Sequence, residues 1–148
     1  MRSSKPILLV EDNKLDVMTV KRALKDLDIK NQLVCTANGE EALEYLNNNG
    51  NKKPCIILLD LNMPKMNGIE FLKIAKADDT LKQIPVVILT TSSHHQDIIE
   101  SFKLSVAGYI VKSIDYTKFT QAINVINLYW TLSKLPSNGE QNNGKHKI

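Results

Sequence analysis

The chain has 148 residues, 43% hydrophobic and 24% charged, which fits one globular domain with a sizeable core and argues against disorder of the whole chain. Its net charge of +3 is small, and lysines such as Lys52, Lys53, Lys145 and Lys147 fall in turns or near the tail, so neither nucleic acid nor a membrane surface is an expected partner. No apolar run approaches membrane-spanning length, and Met1–Lys5 offers no signal peptide, so a cytoplasmic location is expected. Cys35 and Cys55 lie in apolar runs, where buried free thiols are expected, and no metal-ligand spacing accompanies them.

Pro6–Val10 is a short apolar run that ends in Glu11-Asp12-Asn13. A first helix is predicted from about Lys14 to Leu27, capped by Asp12 or Asn13, with Val17, Val20, Leu24 and Leu27 at helical spacing. Leu33–Thr36 reads as the second strand, and Ala37-Asn38-Gly39 turns the chain into a second helix with Ala42, Leu43 and Leu46 inward. Asn47–Pro54 is a surface loop by composition. Cys55–Leu59 is continuously apolar, as in a strand buried on both faces of a parallel sheet, and it runs into Asp60 and then turn residues. Gly68–Ala77 is the third helix, with Ile69, Leu72 and Ile74–Ala75 facing inward, and Asp78–Ile84 is a connecting loop.

Pro85–Leu89 is the fourth strand and ends in Thr90-Thr91-Ser92-Ser93. The fourth helix spans roughly Gln96–Leu104; the preceding His94 and His95 cannot share a helix face and read as a polar helix entry. Gly108–Val111 is the fifth strand, followed by Lys112-Ser113. The fifth helix starts after the capping residue Asp115 and runs to about Ser133. Pro136–Ile148 is polar and Asn/Gly-rich, and is expected to be a disordered tail.

Strand-like runs alternating with helical patterns predict one doubly wound α/β domain with a five-stranded parallel sheet. In such a sheet every strand points its C-terminal end at one edge, where open α/β folds keep their sites. That edge receives Glu11 and Asp12, Asp60, Thr90 and Lys112. Taken singly these are helix-cap acids, a solvated loop acid, a β-branched strand end and a surface lysine. Together they are three acids, a hydroxyl and a cation. Clustered carboxylates repel, so either one is protonated or a cation is bound. Oxygen ligands without His or Cys favour a small hard ion such as Mg²⁺. With an Asp nucleophile and Lys and Thr donors, the set suits phosphoryl transfer onto a carboxylate.

Four segments carry a family resemblance: L-V-E-D-N at 9–13, D-L-N-M-P-K-M-N-G at 60–68, I-L-T-T-S at 88–92 and G-Y-I-V-K at 108–112. From about Lys5 to Ile126 the chain resembles the receiver domain of two-component response regulators. The resemblance implies a flavodoxin-like fold with strand order 2-1-3-4-5. It implies that Asp60 is the phosphoacceptor in a phosphorelay from a sensor histidine kinase. It also implies that Glu11, Asp12, Asp60 and the backbone carbonyl of Asn62 hold Mg²⁺. Lys112 would pair with the acyl phosphate, Thr90 would swing toward it, and Tyr109 would follow as the second switch residue. The implied output is a rearrangement of the helix 4–strand 5–helix 5 face, with no catalysis beyond the protein's own phosphorylation and dephosphorylation. One departure is Ser113, where the family usually has a proline after a cis bond; a cis bond before a non-proline costs about 2.5–4 kcal/mol.

The fifth helix carries two apolar stripes at about 100° per residue. Phe119, Ile123, Ile126 and Trp130 form one, and Ala122, Val125, Tyr129 and Leu132 the other. One packs on the sheet; the other is expected to form a homodimer surface. An expected organisation is a receiver over 1–135 with an extended fifth helix and a tail at 136–148. A DNA-binding effector would need roughly 50–200 further residues, so a stand-alone receiver is expected. The L-Y-W-T-L-S-K-L-P segment at 128–136 makes the chain most similar to small regulators paired with bacterial and cyanobacterial phytochrome kinases. Of three rivals, two differ at specific positions. A haloacid-dehalogenase-type phosphatase needs a second Asp where Asn62 stands, and a flavodoxin-like carrier needs a phosphate loop where Glu11-Asp12 stand. A degenerate receiver acting only as a binding module would have no need to retain all five site residues.

Overall fold

A computed structural model describes residues 4–112 and 115–132. The elements follow in order β1 (Ile7–Val10), α1 (Lys14–Asp26), β2 (Leu33–Thr36), α2 (Gly39–Asn47), β3 (Ile56–Leu59) and α3 (Gly68–Ala77). A 3-10 turn over Leu81–Gln83 leads to β4 (Val86–Thr90), α4 (His95–Lys103), β5 (Gly108–Val111) and α5 (Tyr116–Leu132). The strands form one sheet in the order β2-β1-β3-β4-β5, every neighbouring pair parallel, as the family resemblance implies.

The alternation of side chains along the strands divides the core in two. Leu8, Val10, Ile57, Leu59 and Ile88 face one way, against Ala42 and Leu46 of α2 and Phe71, Leu72 and Ala75 of α3. Ile7, Leu9, Ile56, Leu58, Val87 and Leu89 face the other, against Val20, Ala23 and Leu24 of α1 and Phe119, Ile123 and Ile126 of α5. Burial on both faces is why β1, β3 and β4 read as continuous apolar runs.

Side-chain caps set the helix starts. Asn13, and not Asp12, caps α1 by accepting the Asp16 N–H, and Asn67 caps α3 in a reciprocal pair with Glu70. Asp115 Oδ1 accepts the N–H groups of Thr117 and Lys118 at the start of α5, as the sequence led us to expect.

Some expectations need correction. Cys35 is exposed and Cys55 half-buried, because β2 is the outermost strand and Cys55 precedes β3. On α3 the buried stripe runs through Gly68, Phe71, Leu72 and Ala75, which puts Ile74 about a third of a turn outside it and leaves it exposed. Thr90 is the last residue of β4 rather than the first of the loop, α4 begins at His95, and Leu27 is the C-cap of α1. The Lys112–Ser113 bond, the end of the fifth helix near Ser133 and the 136–148 tail lie outside the described residues, as do the side chains of Trp130 and Leu132. Among the described residues no helix is long and apolar enough to cross a membrane.

Gly68 fixes the loop that follows Asp60. Its N–H donates to the Leu61 carbonyl at 3.0 Å, drawing the start of α3 against the end of β3. A Cβ there would meet the Asp60 carbonyl oxygen at 2.5 Å and Leu61 Cα at 2.8 Å, backbone atoms that cannot swing away. Gly68→Ala should therefore cost about 1–3 kcal/mol in urea unfolding, the range for forcing extra atoms into a packed site. A variant as stable as the parent would show that the approach is loose.

Candidate functional site at the C-terminal edge of the sheet

The backbone continues the sheet's hydrogen bonding one residue past several strand ends, which fixes where the polar residues begin. Glu11 N–H donates to the Thr36 carbonyl at 2.9 Å, Asp60 N–H to Val10 at 3.0 Å and Lys112 N–H to Thr90 at 2.7 Å. The result is that Glu11, Asp60 and Lys112 leave the same edge in register. One carboxylate oxygen from each of Glu11, Asp12 and Asp60 lies within 4.8 Å of the others. Glu11 and Asp60 are only 4% and 6% exposed, whereas Asp12 faces solvent.

Lys112 supplies the compensating charge. Its Nζ donates to Glu11 Oε1 at 2.5 Å and Asp16 Oδ2 at 2.8 Å, and lies 3.9 Å from Asp60 Oδ2. Burial lifts the Glu11 carboxyl to about 7, with Asp60 adding to the rise and Lys112 working against it. Burial also works against charge on Lys112, but its bonds to Asp16 and Glu11 and the field of Asp60 outweigh that, and its pKa rises. Two nearly buried carboxylates and an open third, served among the described residues by the Lys112 ammonium, fit a further small cation with oxygen ligands.

The remaining candidates meet at Ser92. Thr90 is fully buried, and its Oγ1 accepts the Ser92 N–H at 3.3 Å. The Tyr109 hydroxyl donates to the Ser92 carbonyl at 2.9 Å while its ring packs on the core. Burial pushes the Tyr109 phenol up, and its bond to Ser92 offsets part of that. Asn62 is exposed, two residues past Asp60, in a loop where Lys65 takes φ 64°. His94 and His95 are exposed at the start of α4, and neither belongs to the acidic cluster.

Two participants escaped the sequence reading. Asp16 looked like a first-turn acid favoured by the helix dipole, and only the fold carries Lys112 to it. Ser92 looked like one of several polar turn residues, yet its hydroxyl donates to Asp97 Oδ2 at 2.6 Å and ties the loop to α4. Their signal was a favoured residue type at an ordinary position, so neither stood out.

This fold and site define a class that the comparisons also reach. Residues 7–124 match the response regulator receiver domain, and the chain belongs to that family of two-component signal transduction modules. It is 39% identical over 130 residues to the response regulator Rcp1 of Synechocystis sp., covering 85% of this chain and 88% of that one. A crystal structure of the phosphorylated cyanobacterial phytochrome response regulator RcpA superposes with a TM-score of 0.83 at 41% identity, covering 91% of this chain and 100% of that one. The Mn²⁺-bound form of Rcp1 superposes with a TM-score of 0.82 at 38% identity, over 90% of this chain and 99% of that one.

The raised Glu11 carboxyl has a consequence for stability. The group titrates near its ordinary 4.5 when unfolded and near 7 when folded, so the folded state binds the extra proton between those values. Its contribution is therefore full below 4.5 and lost as the pH rises through 7, a swing of roughly 1–3 kcal/mol. In chelator, urea unfolding at pH 5 and pH 8 should show this loss in the parent and a flatter profile in Glu11→Gln. Parallel profiles would mean that Glu11 is not held at this cost.

Proposed function

We propose that Asp60 accepts a phosphoryl group from the phosphohistidine of a sensor histidine kinase in a Mg²⁺-dependent phosphorelay. The observation that carries this is the single cluster at the end of β3, where Asp60 faces Glu11 and Asp12 within 4.8 Å and Lys112 at 3.9 Å. An Asp60 carboxylate oxygen attacks phosphorus, the phosphorus–nitrogen bond breaks, and its electron pair leaves with the imidazole. The product is an acyl phosphate that water later hydrolyses, so the protein's chemistry is confined to itself. Glu11, Asp12, Asp60 and the Asn62 carbonyl would hold Mg²⁺, which when bound offsets the charge of the carboxylates and the phosphoryl oxygens.

Lys112 pairs with the phosphoryl oxygens in this reading. Thr90 gives up the Ser92 N–H to donate its hydroxyl to them, and Tyr109, bonded to the same residue, moves with it. That passes the effect of the added charge to the face of α4, β5 and α5. A phytochrome-type kinase as the donor is supported by the similarity to Rcp1 and to RcpA, itself named a phytochrome response regulator. Such a relay would operate in the cytoplasm.

Incubation with acetyl phosphate and Mg²⁺ should raise the intact mass by one phosphoryl group, and chelator or Asp60→Asn should prevent it. An adduct that survives in Asp60→Asn would sink the assignment. Thr90→Ala should accept the group yet lose most of the Tyr109 chemical-shift change seen with a phosphoryl mimic; a parent-like change would remove Thr90 from the switch.

The second stripe of α5 supports a homodimer. Val125 and Tyr129 are 65% and 58% exposed and Ala122 is half-buried, while Phe119, Ile123 and Ile126 are committed to the core. Leu128, 49% exposed, widens the patch. Burying side chains of this size is worth about 1.5–3 kcal/mol each before association costs, enough for a micromolar dimer. Sedimentation should move a Val125→Glu, Tyr129→Glu variant toward monomer while Asp60 still takes phosphate. A parent that stays monomeric at high concentration, phosphorylated or not, would rule the dimer out.

A further inference from the structure

Lys112 has two hydrogen-bonded acids, and only Glu11 belongs to the cation cluster. The other, Asp16, projects from the first turn of α1, and Asp60 lies beyond hydrogen-bond distance of the ammonium at 3.9 Å. The contact is sheltered: the Lys112 side chain is 13% exposed, Glu11 2% and Asp16 35%. An ammonium on a flexible four-carbon stem settles where the summed attraction is greatest, so its position reports a balance between acids.

We propose that Asp16 is a positioning residue that parks Lys112 beside Glu11, away from Asp60, and that the ammonium leaves Asp16 when Asp60 carries a phosphoryl group. This rests on the reading of Asp60 as the acceptor. Two changes would tip the balance. Were Glu11 to hold a cation together with Asp12 and Asp60, it would be lost to the ammonium, and Asp16 would keep Lys112 at the site rather than releasing it to solvent. A phosphoryl group on Asp60 replaces the carboxylate's single charge with about −1.5 to −2 charges spread over strong acceptor oxygens, which a lone carboxylate at Asp16 does not match. Asp16 thus holds the lysine ready without letting it neutralise the nucleophile.

The rival account is that Asp16 only steadies α1, as an acid in a first turn does. That role is indifferent to Lys112, which separates the two. In metal-free protein, NMR titration of the Lys112 ammonium should show its pKa lowered in Asp16→Asn and retained in Asp16→Glu. With acetyl phosphate and Mg²⁺, Asp16→Asn should slow phosphorylation at least threefold in the parent background and less than twofold beside Lys112→Met. An equal effect in both backgrounds, or an unmoved Lys112 titration, would overturn the proposal. If no variant, parent included, takes phosphate, the acceptor reading fails, and the metal-free titration alone then decides whether Asp16 holds the lysine.

Discussion

Like-charge repulsion at the C-terminal edge of the sheet is the constraint on which the rest depends. Glu11 and Asp60 follow neighbouring parallel strands whose last residues, Val10 and Leu59, are paired in register, so their carboxylates leave side by side. Neither is free to turn into bulk water, being 4% and 6% exposed. Charges in that position are costly unless paired, and among the described residues the ammonium that reaches them is that of Lys112, which follows β5. β4 intervenes, so β5 stands about 10 Å from β3 at the usual strand spacing, and a long side chain is needed to close that gap. The apolar strands and the two helical layers are the scaffold that holds this unfavourable arrangement together.

The same geometry couples the site to a surface. Thr90 and Tyr109 make no bond to each other, yet both are bonded to the backbone of Ser92, one to its N–H and one to its carbonyl. The Ser92 hydroxyl in turn reaches Asp97 on α4 and accepts the His94 N–H. A movement of the Thr90 hydroxyl therefore alters a turn that touches α4 and β5 together. Small bonding changes at such a junction suffice to bias two arrangements of a packed face.

Much of this was legible in the sequence because it follows from local pattern. The apolar runs ending in Glu11, Asp60 and Thr90 announced strands, and one edge for their polar ends follows from parallel pairing. The strand order was carried by the family resemblance, since nothing local distinguishes 2-1-3-4-5 from other doubly wound orders. What stayed hidden depends on distance in space. Asp16 meets Lys112 across 96 positions, Tyr109 meets Ser92 across 17, and neither pair leaves a periodic trace. Ile74 and Cys35 were misjudged for a related reason: composition gives apolarity, while burial depends on which way a helix is turned and which strand lies outermost. Asp12 was read as a possible cap, but Asn13, the residue directly before the first helical position, has that place, and the Asp12 carboxylate joins the cluster.

The central claim is that the three carboxylates at this edge form one cation site against which Asp60 reacts. Anomalous diffraction from crystals grown with Mn²⁺, a stand-in for Mg²⁺ with a measurable signal, tests it most directly. The account predicts one strong peak bounded by Glu11, Asp12 and Asp60, with Lys112 displaced from Glu11 but still beside Asp16. No peak at that position, or a peak whose ligands exclude Asp60, would contradict it.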